Sequence, residues 1–138
     1  MRIQGPNIFG IYSCVSSLNA TFSASCPEPG SVAIITQSGA LGLGMIGKTA
    51  IEHLGLSAIV SVGNKSDLDE ADLLEYLVPQ EQTRVIFMYI EGVQDGEKLI
   101  KALSAATRVK PVIVLKSGRS ARGAIAAASH APVRGIAR

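Results

Sequence analysis

The sequence predicts an α/β fold built on a doubly wound parallel sheet. Four short apolar runs, rich in β-branched residues, alternate with four segments whose apolar residues recur at helical spacing. Each run is continuous, as expected of a strand that is covered on both faces. The chain has 138 residues, of which 47% are hydrophobic and 17% charged, so it is long and apolar enough to bury one core.

Residues 1–30 are rich in glycine, proline, serine and asparagine, which are typical of turns, and they show no sustained hydrophobic period. We expect an irregular lead-in that lies against the core. A linker that arrives from an upstream domain is an equally good interpretation of the same residues. The domain itself is predicted over residues 31–130, and residues 131–138 form an atypical tail without a helix or strand pattern.

From residue 31 the strand–helix unit repeats four times. The strands are predicted over residues 32–35, 58–62, 85–90 and 111–115, and the helices over residues 40–53, 69–77, 95–108 and 121–129. Asp67 or Asp69 is placed to cap the second helix. Gly42, Gly44 and Gly47 each weaken the first helix by about 1 kcal/mol, so packing must hold it, and their small size favours a close approach to the sheet.

A sheet of this kind usually continues with a fifth strand and a closing helix, and neither is predicted after residue 130. The fourth strand would then carry an unpaired apolar edge over residues 112–115, unless another chain or domain covers it. We therefore expect a dimer or a higher homo-oligomer.

Composition disfavours several classes of function. The 13 basic and 11 acidic residues give a net charge of +2, which is too small to favour nucleic acid or an anionic membrane as the main partner. No apolar run approaches the roughly 20 residues of a membrane span. Two cysteines do not form a disulfide framework, and the N-terminus does not resemble a secretory signal, so a cytoplasmic location is the expected default.

Chemistry is expected at the carboxyl ends of the strands, where open parallel sheets bind ligands. Four loops with glycine and polar residues leave those ends, over residues 37–40, 63–66, 91–94 and 116–120. In the first loop, Ser38, Gly39 and Ala40 open a helix, whose free N–H groups and dipole favour a phosphate. A serine that only caps the helix is the simpler interpretation of Ser38.

Three further positions carry a carboxylate, an anion-binding loop or a nucleophile. Glu91 directly follows a buried strand, so its carboxylate faces the crevice or forms a salt bridge with a nearby cation. Ser117 and Gly118 lie in a loop with two cations, which suits an oxyanion or is simply a solvated basic loop. His130 follows a run of small residues and can swing out, or it is favoured by the dipole at a helix C-terminus. No spacing of histidines, cysteines or carboxylates predicts a metal site.

Taken in chain order, six motifs resemble those of one family. They lie at residues 5–7 (Gly-Pro-Asn), 37–41 (Gln-Ser-Gly-Ala-Leu), 62–65 with 69–77, 89–92 (Tyr-Ile-Glu-Gly), 110–120 and 126–130 (Ala-Ala-Ala-Ser-His). The chain is similar to the second, flavodoxin-like domain of the NDP-forming acyl-CoA synthetases, which are relatives of the succinyl-CoA synthetase α subunit; the ADP-forming acetyl-CoA synthetase α subunit is one such protein. The motifs extend over residues 5–130.

The resemblance implies a fold, an activity and the residues that perform it. The fold is a flavodoxin-like doubly wound parallel sheet of the succinyl-CoA synthetase type, here without its last strand and helix. The activity converts acyl-CoA, ADP and phosphate to free acid, CoA and ATP through an acyl phosphate and a phosphohistidine. The catalytic residues are His130, which carries the phosphate, and Glu91, which orients its imidazole. Five residues are candidates for phosphate binding: Ser38, Gly39, Ala40, Ser117 and Gly118.

The resemblance also implies partners. Enzymes of this family need an upstream CoA-binding domain and an ATP-grasp nucleotide-binding domain or subunit. CoA, ATP or ADP, phosphate and magnesium are substrates of the full enzyme, and no cofactor is bound tightly by this domain. We expect the chain to be inactive when it is isolated from these parts.

One departure from the family pattern keeps a second function open. Family members continue after the histidine with Thr-Gly-Ser, whereas Ala-Pro-Val-Arg follows His130 here. The alternative is a non-catalytic ligand-sensing or regulatory module, of the type fused to protein acetyltransferases. Such a module requires neither His130 nor Glu91, and this chain has both.

Overall fold

Six strands and three helices make up the computed structural model, which describes residues 1–23 and 26–118. In chain order they are β1 (Gly10–Ser13), β2 (Leu18–Thr21), β3 (Pro29–Thr36), α1 (Gly39–Ile51), β4 (Leu56–Ser61), α2 (Glu70–Leu77), β5 (Val85–Ile90), α3 (Gly96–Ala106) and β6 (Val112–Lys116). The strands form one sheet in the order β2-β1-β4-β3-β5-β6. Strands β3 to β6 are parallel, and β1 is antiparallel to both of its neighbours.

The predicted doubly wound sheet is confirmed by this strand order. After β3 the chain adds β4 on one side, then crosses back to add β5 and β6 on the other side. This reversal is the flavodoxin-like arrangement, and right-handed crossovers then place the connecting helices on opposite faces. Two apolar clusters reflect that division. Ile46 of α1 packs with Ile34 and Ile59 on one face, and Leu74 of α2 and Leu99 of α3 pack with Met88 on the other.

The structure differs from the prediction over the first thirty residues, which are not irregular throughout. Strands β1 and β2 form an antiparallel hairpin, and β1 extends the sheet by pairing with β4, with Ile11 opposite Val60. Each strand has only four residues, and every residue of β2 is exposed except the half-buried Thr21. A two-residue period cannot be recognised over so short a stretch, so the sequence shows only the turns around it.

The turn that precedes the hairpin lies on the loop after β4. The Asn64 N–H donates to the Pro6 carbonyl at 2.9 Å, and the Ser66 N–H donates to the Gly5 carbonyl at 2.8 Å. Gly63 has a φ of +55°, and an added Cβ there would overlap the Pro6 carbonyl, so only glycine suits this position. The lead-in is therefore part of the same carboxyl edge of the sheet as the predicted site.

The helix starts follow the cap residues that the sequence contains. Asp69 caps α2, and Asp72 returns a hydrogen bond to the Asp69 N–H to complete a capping box. Asp67, the other candidate cap, instead binds Arg2 and the Ile3 N–H. Asp95 caps α3. The predicted fourth helix, over residues 121–129, lies outside the described residues.

Strand β6 is an outer strand of the sheet formed by residues 1–23 and 26–118. Ile113, Val114 and Leu115 are 55%, 41% and 51% exposed in it. The homo-oligomer expected from this apolar edge stays a prediction. In the same part of the chain, the helices are too short and too polar for any of them to cross a membrane.

Helix α1 approaches the sheet closely at one glycine only. An added Cβ at Gly42 would overlap the ring of Phe9, a lead-in residue that is only 4% exposed, and would lie 3.1 Å from Thr36 Cγ2 of β3. An added Cβ at Gly44 or Gly47 would meet no atom within 4 Å. Of the four glycines of this helix, Gly42 alone is therefore required by packing.

We predict opposite stability effects for two alanine substitutions in α1. Gly42→Ala should destabilise the fold by about 1–3 kcal/mol, because the buried Phe9 ring must shift. Gly44→Ala should stabilise it by roughly 0.5–1 kcal/mol, because alanine restricts the unfolded chain and favours the helix. Urea denaturation followed by circular dichroism measures both. Equal effects of the two substitutions would contradict the assigned packing.

Candidate functional site

The crevice at the switch point of the sheet is formed by the loops after β3 and β5. These strands are neighbours, and the helices that follow them, α1 and α3, leave towards opposite faces. Ligands of open parallel sheets bind at this point, because the two loops separate and leave a space between them.

A cavity of about 290 Å³ occupies this crevice. The residues that line it come from three loops, from helix α1 and from the lead-in: Asn7, Ile8, Phe9, Phe22, Gln37, Ser38, Gly39, Ala40, Leu43, Gly63, Asn64 and Glu91. The structure thus brings together four of the predicted site residues. Ser38, Gly39 and Ala40 are consecutive, and Glu91 lies 51 to 53 positions later in the sequence. The contributions of the lead-in, notably Asn7 and Phe9, were not predicted as part of a site.

The N-terminus of α1 opens into this cavity. The Ser38 hydroxyl caps the helix by accepting a hydrogen bond from the Leu41 N–H at 3.3 Å. The N–H groups of Gly39 and Ala40 belong to the first turn, where no intrahelical acceptor is available. An added Cβ at Gly39 would meet nothing within 4 Å, so the approach to these donors is open. The capping role of Ser38 and an anion site at the following N–H groups are therefore compatible.

Glu91 also lines the cavity, where it lies half-buried. Its carboxylate makes no hydrogen bond or ion pair with any residue that the structure describes. Lys116 is close, but its Nζ donates to the Glu91 main-chain carbonyl at 2.8 Å and not to the carboxylate. The salt bridge considered for Glu91 is thus not found within residues 1–23 and 26–118, and the carboxylate is available to a group in the crevice.

The other predicted site residues lie elsewhere or outside the described residues. The Ser117 N–H donates to the Ile90 carbonyl at 2.9 Å and so continues the pairing of β6 with β5. Gly118 follows with a φ of +75°. Neither residue lines the cavity, although both lie at the same edge of the sheet. His130 lies outside the described residues, so its place relative to Glu91 stays a prediction.

A buried ion pair fixes the loop that faces the cavity from the β4 side. Lys65 Nζ lies 2.8 Å from Glu70 Oε1, and the two side chains are only 2% and 3% exposed. The same ammonium donates to the Gly92 carbonyl at 2.6 Å. Sequence reasoning missed this pair, since a lysine in a polar turn usually reaches solvent. The only available signal was that Lys65 follows a strand at the ligand-binding edge and that Glu70 begins the next helix.

Charged groups also cluster where α2 begins. Lys98 lies 2.9 Å from a carboxylate oxygen of both Asp69 and Asp72. Burial of the Asp72 carboxyl works to raise its pKa, but hydrogen bonds from Lys98 and from Asp69 outweigh burial and lower the pKa to about 2. Partial burial works to lower the pKa of Lys98, and its two aspartate partners raise it above the ordinary value. This cluster fixes the start of α2 and does not line the cavity.

A second cavity, of about 240 Å³, lies between the hairpin, β4 and the end of α2. Its lining contains no charged residue and consists mainly of apolar side chains such as Ile11, Val60 and Leu73. It lies along β4 from Ser57 to Val60, on the side of the sheet that the hairpin and α2 cover. We place the site at the switch-point cavity, because polar chemistry needs the donors and the carboxylate found there. No group of three metal-binding side chains occurs within the described part of the chain.

The family is decided by a match over most of the chain. The family model of the succinyl-CoA ligase like flavodoxin domain matches residues 29–135. The chain belongs to this family. The resemblance seen in its motifs is thereby confirmed, as is the flavodoxin-like fold.

Several characterised relatives of this family are ADP-forming CoA ligases. The chain is 54% identical over 130 residues to the α subunit of acetate–CoA ligase (ADP-forming) I from Pyrococcus furiosus. This alignment covers 94% of the chain and 28% of that subunit. It is 41% identical to the 4-hydroxybutyrate–CoA ligase (ADP-forming) from Nitrosopumilus maritimus, of which it covers 19%. The chain therefore spans less than a third of the length of these relatives.

A solved structure of the family superimposes closely. The acetyl-coenzyme A synthetase 1 from Ca. Korarchaeum cryptofilum, in complex with phosphate and ADP, matches 99% of the chain and 30% of its own length. The TM-score is 0.89 and the sequence identity is 46%. The chain thus has the same fold as the matching part of that acetyl-coenzyme A synthetase.

We predict that the Lys65–Glu70 pair contributes strongly to stability. Lys65→Met should cost about 3–5 kcal/mol, because it leaves the Glu70 carboxylate buried without a partner. The matched control is Lys101→Met, since Lys101 lies at the same 2.8 Å from Glu97 but both side chains are at least 75% exposed. The control should change the free energy of unfolding by no more than about 0.5 kcal/mol. Urea denaturation measures both, and similar costs would contradict the role of burial.

We predict that protonation of Asp72 lowers the free energy of unfolding at acid pH. The ordinary pKa of its carboxyl is 3.8 and the folded value is about 2, so the folded state favours the charged form. The resulting contribution, about 2 kcal/mol, is complete above pH 4 and is lost as the pH falls towards 2. Urea denaturation at pH 5, 4, 3 and 2 should show a shallower decline for Asp72→Asn than for the wild type. Parallel curves over this range would exclude Asp72 as the cause.

Proposed function

We propose that the chain is the phosphohistidine-carrying domain of an ADP-forming acyl-CoA synthetase. The full enzyme would convert acyl-CoA, ADP and phosphate to free acid, CoA and ATP. The observation that carries the proposal is the pairing, in one cavity, of a helix N-terminus with a carboxylate that has no partner among the described residues. The first suits a phosphoryl group, and the second suits an imidazole that must hold one tautomer.

The proposed roles follow from the chemistry of phosphoryl transfer. The Gly39 and Ala40 N–H groups would bind the phosphoryl oxygens, with Ser38 holding the helix terminus in place. Glu91 would accept a hydrogen bond from one ring nitrogen of His130, so that the other nitrogen carries the lone pair that attacks phosphorus. Ser117 and Gly118, at the same edge of the sheet but outside this cavity, would bind a phosphoryl oxygen only if the phosphate extended towards the end of β6.

The proposed reaction includes two phosphoryl transfers, first to His130 and then to ADP. A ring nitrogen of His130 attacks the phosphorus of an acyl phosphate, the P–O bond to the acyl group breaks, and the carboxylate leaves. A β-phosphate oxygen of ADP then attacks the phosphorus, the N–P bond breaks, and ATP forms. The acyl phosphate arises when phosphate displaces CoA from acyl-CoA. These steps require the CoA-binding and ATP-grasp parts, with magnesium accompanying the nucleotide, so the chain would act only together with them.

One observation favours a second candidate. Ala-Pro-Val-Arg follows His130 where the resemblance leads one to expect Thr-Gly-Ser. A ligand-sensing or regulatory module has no need of a transferable phosphate and tolerates that change. The two functions differ in a single measurable event, the covalent phosphorylation of His130.

We predict that His130 becomes phosphorylated when the chain is combined with an ATP-grasp partner, ATP and magnesium. Intact mass spectrometry should detect one acid-labile phosphate on the wild type. His130→Asn should abolish it, whereas His53→Asn, at the exposed histidine near the end of α1, should leave it unchanged. Glu91→Gln should slow its formation by about 10²-fold, because the imidazole is no longer held in the reactive geometry.

The absence of phosphate from wild-type protein, with a folded and nucleotide-binding partner, would favour the ligand-sensing module. Phosphate that persists in His130→Asn would place the modification on another residue and exclude the proposed carrier.

A further inference from the structure

The peptide at Glu91 and Gly92 is held by side chains at all four of its main-chain polar groups. Gln37 Oε1 accepts hydrogen bonds from the Glu91 N–H at 2.6 Å and from the Gly92 N–H at 2.9 Å. Lys116 Nζ donates to the Glu91 carbonyl at 2.8 Å, and Lys65 Nζ donates to the Gly92 carbonyl at 2.6 Å. Loop tips at a protein surface usually bind water at these groups instead.

The three side chains come from the ends of the three other parallel strands. Gln37 follows β3, Lys65 lies in the loop after β4, and Lys116 is the last residue of β6. Each of these strand ends therefore sends one side chain to the loop after β5. We call these three residues the Glu91 anchor.

The chemistry of the Glu91 anchor leaves little freedom to that loop. One atom of Gln37 faces two N–H donors, which requires the amide oxygen at that position. The Glu91 and Gly92 carbonyls accept hydrogen bonds from charged ammonium groups, and such bonds are shorter and stronger than those from neutral donors. Lys65 is itself fixed by its buried pair with Glu70. The main chain of Glu91 is thus held from three directions, while its carboxylate has no partner among the described residues.

We infer that Gln37, Lys65 and Lys116 are positioning residues that aim the Glu91 carboxylate at the histidine it orients. This inference rests on the proposed function and adds to it the residues that determine the geometry of the carboxylate. A group that orients a nucleophile must be held within about 0.5 Å of its productive position. A misplacement of about 1 Å can cost 10²-fold in rate.

Gln37 and Lys116 test the inference better than Lys65, because Lys65 also stabilises the fold. Gly92 is exposed and Glu91 is half-buried, so water can replace the lost partners of their main-chain groups. Gln37→Leu and Lys116→Met should therefore fold and retain thermal midpoints close to that of the wild type. Lys116→Arg keeps a charged donor, and Gln82→Leu makes the same change as Gln37→Leu at an exposed position remote from the site.

The experiment measures single-turnover phosphorylation of His130 in the chain assembled with its ATP-grasp and CoA-binding parts, over a range of ATP concentrations. Gln37→Leu and Lys116→Met should lower the rate constant at saturating ATP by about 10–100-fold and leave the half-saturating ATP concentration unchanged. Lys116→Arg should stay within about threefold of the wild type, because it still donates to the Glu91 carbonyl. Gln82→Leu should match the wild type.

A double-mutant cycle separates positioning from a general structural effect. If Gln37 acts through the Glu91 carboxylate, Gln37→Leu should slow phosphorylation by no more than about twofold in a Glu91→Gln background. An equal loss in both backgrounds, or no loss in the wild-type background, overturns the inference and leaves the proposed function intact. A wild-type chain without phosphate on His130, or one indifferent to Glu91→Gln, overturns the proposed function and the inference that rests on it.

Discussion

The architecture of the site depends on one buried charge. The Lys65 ammonium is removed from water and must satisfy its donors within the protein, which it does with Glu70 and the Gly92 carbonyl. These contacts join the loop after β4, the start of α2 and the loop after β5. Gln94 strengthens the connection by donating to the Lys65 carbonyl at 3.0 Å. None of the three segments can move alone without leaving the ammonium unpaired in a region of low dielectric.

The reversal of strand order determines which groups line the cavity beside this rigid frame. Because α1 and α3 leave the sheet towards opposite faces, a helix N-terminus and a carboxylate line a single cavity between the two loops. The helix terminus supplies neutral donors with a positive potential, and Glu91 supplies a negative charge. The proposed function needs both at a fixed separation, because it requires an anion and an imidazole to be bound in turn. The lead-in completes the cavity, since Phe9 and Asn7 form part of its wall.

The sequence predicted the features that depend on local pattern. The strand at residues 85–90 is observed at those residues, because a continuous apolar run of this length has few alternatives, and Asp69, one of the two predicted candidates, caps α2. Contacts between distant segments were not predicted. The hairpin was missed because its strands have four residues each, and the Lys65–Glu70 pair was missed because a loop lysine is ordinarily solvated. Gln37 was recognised as part of a motif. Its hydrogen bonds to the main chain of Glu91 and Gly92 were not predicted, because they depend on β3 and β5 being neighbours in the folded sheet.

The pairing of β1 with β4 has a consequence for synthesis of the chain on the ribosome. Ile11 cannot pair until its partner Val60, which lies 49 residues later in the chain, has been synthesised. At typical translation rates that interval is roughly 2–10 s, far longer than the microseconds in which a hairpin forms. Strand β1 therefore stays unpaired on its β4 side until β4 is made, and Phe9 remains without its packing partners until α1 and β4 have emerged. A nascent chain of this domain therefore exposes Phe9 and Tyr12, which are buried in the folded domain, before any of the parallel sheet exists.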